Sequence, residues 1–161
     1  MNLVVTLQQY QRYNSITYYT ILVDGKDVTE TDDFIARYQD SEEFYEELHE
    51  LFTYLQVIGE DGMPYAHRKR LRPERGAKAI PLKGVGGVRL RLYCYLIKDN
   101  IMILGNGGHK KELDSSHQDS PALKPHFDLF NQVSRKLDQM LSERDLWEED
   151  GELQGEMEIL L

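Results

Sequence analysis

Cysteine is nearly absent: Cys94 is the one thiol among 161 residues, so no intramolecular disulfide forms and no thiolate spacing for a metal exists. A reducing cytoplasm is the compartment this suits. Long apolar runs are absent too. The opening MNLVVTLQQYQRYN carries no basic stretch ahead of its short apolar run, and no segment approaches the roughly 20 apolar residues needed to cross a bilayer. Neither secretion nor membrane insertion is expected. Phosphate-cradling fingerprints are also missing. Gly84-Val85-Gly86-Gly87 does not follow a strand and open a helix as GxGxxG does, GxxxxGKS and GxxxxGKT do not occur, and the stretch reads as a turn. The histidines at 49, 67, 109, 117 and 126 never stand four apart on one helix, which removes the usual helical metal-ligand pair. No metal and no other cofactor is expected. A DNA-reading role gains nothing either, because the two helices expected before residue 64 have acidic outer faces rather than a basic recognition surface.

What is present is charge, unevenly placed. Residues 1–64 hold three Lys and Arg against 13 Asp and Glu, net -10; residues 65–111 hold 12 against two, net +10; residues 112–161 hold four against 13, net -9. Charges act over about 10 Å at moderate salt, so the acidic ends only partly screen the basic middle, which is fit to meet a polyanion. The alternative is mutual neutralisation across surface ion pairs.

The length suits one compact domain with a real core. From Tyr13 to Val23, YNSITYYTILV is rich in β-branched and aromatic residues and ends at Asp24-Gly25, which reads as a strand and turn. Thr29 with Asp32 three positions on reads as the start of a short helix whose apolar face is Phe34, Ile35 and Tyr38. A longer helix is expected from an Asp40 cap to Gly59, with Phe44, Leu48, Leu51, Phe52 and Leu55 as its stripe and Glu42, Glu43, Glu46, Glu47 and Glu50 as a solvated face. From Pro64 to Lys83 the periodicity is lost. His67, Lys69, Arg72, Lys78 and Lys83 belong to a basic loop with one short edge strand, AKAIPL. A last helix is expected to open at Pro125, with Phe127 or Phe130, Val133, Leu137 and Leu141 inward. Residues 143–161 form an acidic extension, either packed on the body or mobile, beyond a domain spanning 1–142.

Between these lies RLRLYCYLIKDNIMILGNGGHKK, residues 89–111, expected as a hairpin joined by Lys98-Asp99-Asn100. Alternation puts Leu90, Leu92, Cys94 and Leu96 on one face and Arg89, Arg91, Tyr93 and Tyr95 on the other. The first face is core; the second is expected to be an open, cationic, aromatic floor. Ile101 to Leu104 is apolar on both faces, which marks an interior strand.

A strand, two helices and a meander containing RLYCYLIKDNIMILGNGGHKK resemble the RelE/HigB-like toxins of bacterial toxin-antitoxin pairs, best over residues 68–111. The resemblance implies an α+β domain with a small, mostly antiparallel sheet of three to five strands packed against two N-terminal helices, plus a C-terminal helix. It also implies an endoribonuclease that cleaves messenger RNA without a metal, usually on the ribosome, and that a partner antitoxin inhibits. In such a reaction a ribose 2'-hydroxyl attacks the adjacent phosphate in line. The site must help remove that proton, stabilise added negative charge and protonate the leaving 5'-oxygen. Arg91 is the expected charge-stabilising fork, with Arg89 about 7 Å along the strand positioning phosphate. His109 is the expected proton-transfer residue because free imidazole titrates near neutrality, and Lys110 and Lys111 add positive potential. Tyr93 is expected to stack a base, and Lys69, Arg72, Lys78 and Lys83 to hold the backbone of the strand.

The chain departs from that family in being acidic overall and in its longer C-terminal part. Two hypotheses follow: the acidic extension shields the basic floor, or the protein keeps the fold as a non-catalytic RNA- or protein-binding accessory without cleavage.

Overall fold

The computed structural model describes residues 2–64, 72–74, 77–80, 89–110 and 121–161, with the backbone alone for 72–74 and 77–80. The N-terminal window left open by its pattern is a strand: β1 (Val4–Arg12) pairs antiparallel with β2 (Thr17–Val23). Then come α1 (Glu30–Tyr38) and α2 (Tyr45–Asp61), followed by β3 (Arg72–Glu74), β4 (Ala77–Ile80), β5 (Leu90–Ile97) and β6 (Ile101–His109). The chain closes with α3 (Lys124–Ser142), β7 (Leu146–Glu149), β8 (Glu152–Gly155) and β9 (Glu158–Leu160). The main sheet has the order β3-β4-β5-β6-β2-β1-β9. Every neighbouring pair is antiparallel except β2 and β6, which run parallel from Thr17 opposite Ile101. The architecture is therefore α+β with a mostly antiparallel sheet, two N-terminal helices and a C-terminal helix. A central five strands are extended at each edge by a three-residue strand, β3 or β9.

Local chemistry explains the boundaries. Thr29 caps α1, its hydroxyl accepting from Asp32 N at 3.2 Å, as the sequence predicts. The longer helix begins later than expected: Asp40 is not its cap, because Ser41 Oγ accepts from Phe44 N at 3.1 Å and the helix starts at Tyr45. It also runs past Gly59 to stop at Gly62, whose φ of 90° only glycine adopts without strain. Gly59 is inside the helix because Tyr13 packs on it; a Cβ there would sit 2.5 Å from the Tyr13 ring. Pro125 opens α3 as expected.

Both faces of the sheet are covered. On one, Phe34 and Tyr38 of α1, Phe44 beside it, and Leu48, Leu51, Leu55 and Ile58 of α2 pack on Tyr18, Leu90, Leu92, Cys94, Met102 and Leu104. On the other, Phe127, Phe130, Val133, Leu137 and Met140 of α3 pack on Val5, Leu7, Tyr19, Ile21, Tyr93 and Ile103. Each such aliphatic or aromatic side chain contributes about 1.5–3 kcal/mol on leaving water. Alternation along β5 is as predicted, but the open floor is not there: α3 occupies that face, Tyr93 is 0% exposed and its ring lies 5.6 Å from that of Phe127. An interior strand between β4 and β6 has two sides to cover, and the apolar stripe of α3 covers the second.

The acidic extension is part of the fold. β7 and β8 form a hairpin, β9 pairs with β1, and Leu146, Leu153 and Ile159 are buried beside α3. Leu153 N donates to the Tyr19 hydroxyl at 2.9 Å. No described helix is long and apolar enough to cross a membrane.

Candidate functional site

The residues singled out in the sequence meet where β5 begins and β6 ends. Leu90 stands opposite His109 and Arg91 opposite Gly108, and Lys110 N donates to Arg89 O at 3.0 Å. Arg89, Arg91, His109 and Lys110 therefore occupy adjoining positions at one corner of the sheet.

Glycines make this corner possible. A Cβ on Gly107 would fall inside the surface of the Arg91 carbonyl oxygen and 2.8 Å from its carbon. One on Gly105 would lie 2.8 Å from Phe130 Cε1, and one on Gly108 would lie 2.9 Å from the Ala122 carbonyl carbon. The Gly-Asn-Gly-Gly run thus lets backbone and α3 approach β6 closely. A register shift in the β5–β6 ladder beside these residues leaves Asn106 turned toward α1.

Asn106 is 2% exposed and fully used. Its Nδ2 donates to Asp33 Oδ2 at 2.9 Å, and its Oδ1 accepts from Gly107 N at 2.7 Å and from Arg37 Nη2. Arg37 Nη2 also donates to Gly107 O at 2.6 Å, while its Nε meets Asp33 Oδ2 at 3.1 Å. Burial alone would raise the Asp33 pKa; the Asn106 amide and the Arg37 guanidinium outweigh that and hold it below the usual carboxylate value. His126, in the first turn of α3, shares this neighbourhood. Burial first, then the Arg37 charge, pushes its pKa down to about 4, against the pull of Asp33.

The same arginine leads to the histidine. Arg37 Nη1 donates to the Tyr38 hydroxyl at 3.4 Å, and that hydroxyl lies 2.9 Å from His109 Nδ1. Burial raises the Tyr38 pKa, although Arg37 opposes it, so the phenol keeps its proton. The contact fixes the orientation of the imidazole and leaves Nε2 as the nitrogen not engaged by Tyr38, the direction of the Tyr38–Nδ1 hydrogen bond following the tautomer. Phe44 fixes the ring from another side, 4.8 Å between centroids. His109 stays partly exposed.

The cations are arranged otherwise than expected. Arg89 does not lie beside Arg91: its guanidinium sits over the Phe44 ring at 4.6 Å and pairs with Glu43 Oε1, on the α2 side of the sheet. Arg91 follows the strand alternation to the α3 face. It is 4% exposed, and its Nη1 donates to Leu90 O at 3.1 Å. Lys110 is 6% exposed. Tyr93 lies in the core, where no base reaches it. Arg72 and Lys78 fall on β3 and β4, Arg72 opposite Ala79 and Lys78 opposite Cys94, away from the corner. Lys69, Lys83 and Lys111 lie outside the described residues. Two acids assigned to a solvated face are structural: Glu43 pairs with Arg89, and Glu47 Oε2 accepts from Arg89 N at 3.3 Å and Leu90 N at 3.2 Å.

Asp33, Arg37, Asn106 and His126 carry no site role in the sequence, and Tyr38 and Phe44 stand there only as apolar helix positions. The one usable signal was Asn106, a polar residue inside a strand otherwise built of apolar and glycine residues. The C-terminal segment does not shield this corner: Glu148 pairs with Lys98 at 3.0 Å and Glu152 with Arg12 at 2.7 Å, both away from His109. Compared with protein-family models, with curated proteins and with solved structures, the chain matches none.

Proposed function

We propose that the chain is an endoribonuclease of the RelE/HigB-like toxin type, acting on messenger RNA at the β5–β6 corner and inhibited by a partner protein. The observation that carries this reading is His109: a partly exposed imidazole held at Nδ1 by the Tyr38 hydroxyl, with Arg37 and Arg89 nearby and Arg91 and Lys110 beneath. In the reaction a bond forms from the ribose 2'-oxygen to phosphorus and the bond to the 5'-oxygen breaks. The 2'-hydroxyl proton passes to solvent water, and His109, acting as imidazolium, gives its Nε2 proton to the leaving 5'-oxygen and ends neutral. Arg89 carries the guanidinium fit to fork two phosphate oxygens once Glu43 yields, while Arg37, held by Asp33, Asn106, Gly107 O and Tyr38, orients the histidine. Arg91 and Lys110, nearly buried, act through their field on the developing charge rather than by contact. The ribosome and the antitoxin rest on the family resemblance alone.

The test is incubation of the purified protein, alone and with ribosomes, with RNA and with the same RNA carrying a 2'-deoxy sugar at the cut. Scission that ends in a cyclic phosphate, fails on the deoxy substrate and drops at least about 100-fold in His109→Gln supports the reading. Cleavage unchanged by His109→Gln overturns it.

A second reading is favoured by the carboxylate partners already on Arg37 and Arg89 and by the burial of Arg91 and Lys110: an RNA- or protein-binding accessory without chemistry. It predicts salt-sensitive retention of RNA, no scission in either incubation, and no effect of His109→Gln on binding.

A further inference from the structure

A cavity of about 720 Å³ opens at the opposite end of β5 from the corner, between the strand, the C-terminus of α3 and β7. Its walls are mainly apolar, from Tyr95, Ile97, Leu141, Leu146 and Trp147, and its charged lining is Arg144 together with Lys98 and Glu148, which pair with each other at 3.0 Å. The volume lies in the range that takes a small organic molecule. Leu146 is fully buried, whereas Trp147, the chain's single tryptophan, is 45% exposed.

Arg144 stands in a place that normally belongs to glycine. After the α3 cap at Glu143, Asp145 N donates to Met140 O at 2.9 Å and Arg144 N to Leu141 O at 3.3 Å, and Arg144 has φ 62°. That is the six-residue helix-ending motif whose left-handed position glycine fills at no steric cost. A β-carbon there is strained, and the Arg144 side chain makes no hydrogen bond or ion pair with another described residue to offset it. Arg144 lines the cavity. The nearby carboxylates do not cancel it. Glu148 is held by Gly151 N at 2.9 Å, Lys98 at 3.0 Å and Asn100 at 3.2 Å, and Asp138 accepts from the Tyr95 hydroxyl.

We propose that this cavity is a binding site for a monoanion with an apolar, aromatic body, its rings against Trp147 and Leu141 and its anionic group on Arg144. An unpaired guanidinium at an apolar wall gives such a ligand both its burial and a charge-assisted bond. Neither feature depends on RNA cleavage.

The experiment compares 8-anilinonaphthalene-1-sulfonate with N-phenyl-1-naphthylamine, the same body without the sulfonate, on the full chain. Energy transfer from Trp147, the one tryptophan, reports bound probe, and the Arg144 variants assign it to this cavity. Wild type is expected to bind the sulfonate saturably with transfer from Trp147. Arg144→Gly is expected to lose about fivefold or more in sulfonate affinity, to keep its affinity for the neutral probe, and to unfold at equal or higher urea than wild type. Arg144→Asn, whose side chain tolerates the left-handed region, should match it. An absence of saturable transfer in wild type, or a sulfonate affinity that both variants leave unchanged, overturns the proposal.

Discussion

Replacing Gly107 by alanine tests the close approach on which the corner depends. The new methyl would overlap the Arg91 carbonyl oxygen and lie 2.8 Å from the carbonyl carbon and 3.0 Å from Leu92 Cα. Ordinary carbon contacts are about 3.5–4.0 Å, and all three atoms are backbone, so no rotamer change relieves the clash. The strands must separate locally, at the rungs that pair Leu90 with His109, Arg91 with Gly108 and Leu92 with Gly107. Overpacking of about 1–3 kcal/mol, plus one or two ladder hydrogen bonds at about 1 kcal/mol each, gives an expected loss of about 3–5 kcal/mol. That is a large share of a typical folding free energy. The assay is urea unfolding followed by Trp147 emission, with amide exchange at Arg91 and His109 as the local readout. Gly25→Ala is the comparison: nothing lies within 4 Å of its Cβ, so only its φ of 89° is penalised, at about 1–2 kcal/mol. If Gly107→Ala costs no more than Gly25→Ala, the strands are not held apart by glycine and the reasoning fails.

Glu47→Ala removes the acceptor for two backbone amides at the start of β5 and is expected to cost about 1–2 kcal/mol, with Glu47→Gln costing less; equal losses in urea unfolding would show that the carboxylate oxygen is not what matters. His126 titrates near 4 in the fold against about 6.5 unfolded, so the unfolded state binds the proton first and stability, full above 6.5, falls as pH drops toward 4. Discounted for partial exposure the loss is about 1–2 kcal/mol, and His126→Gln should flatten urea midpoints between pH 7 and pH 4.5. Ile159→Ala, at a fully buried position of β9, is expected to cost about 2–4 kcal/mol; a loss below about 1 kcal/mol would mean the C-terminal strand is not part of the core.

How far the fold was legible follows from what each signal encodes. The Thr29 cap, the Pro125 helix start, the Lys98-Asp99-Asn100 turn and the doubly apolar Ile101–Leu104 are local signals, and each is realised as read. The α2 start was misplaced because Asp40 has the pattern of a cap, whereas Ser41 closes a separate turn and the helix begins after Phe44 with no side-chain cap. The covered floor was invisible for a different reason. Period-two alternation says that a strand has two faces, never what lies on the second, and Arg and Tyr serve either setting through long apolar bodies with polar tips. Residues 143–161 misled through their charge: five buried or half-buried apolar side chains hide among the acids, and only three of them, Leu146, Leu153 and Ile159, need be buried to anchor two hairpin strands and an edge strand.

The corner itself was half legible, and the division is informative. Arg89, Arg91, His109 and Lys110 are neighbours across one ladder, so a correct hairpin reading brings them together. Arg37 and Tyr38 reach the same place from about 70 residues away, through the parallel pairing of β2 with β6 that sets α1 against the end of β6. No periodicity announces that pairing. Yet it changes what His109 is. In the sequence it is a lone histidine after a glycine run; in the fold it ends a hydrogen-bonded chain running from Asp33 through Arg37 and the Tyr38 hydroxyl to Nδ1. A loop imidazole turns freely, whereas this one is held at Nδ1 by a hydroxyl and flanked by the Tyr38 and Phe44 rings, so the direction in which its Nε2 points is set by residues from the other end of the fold.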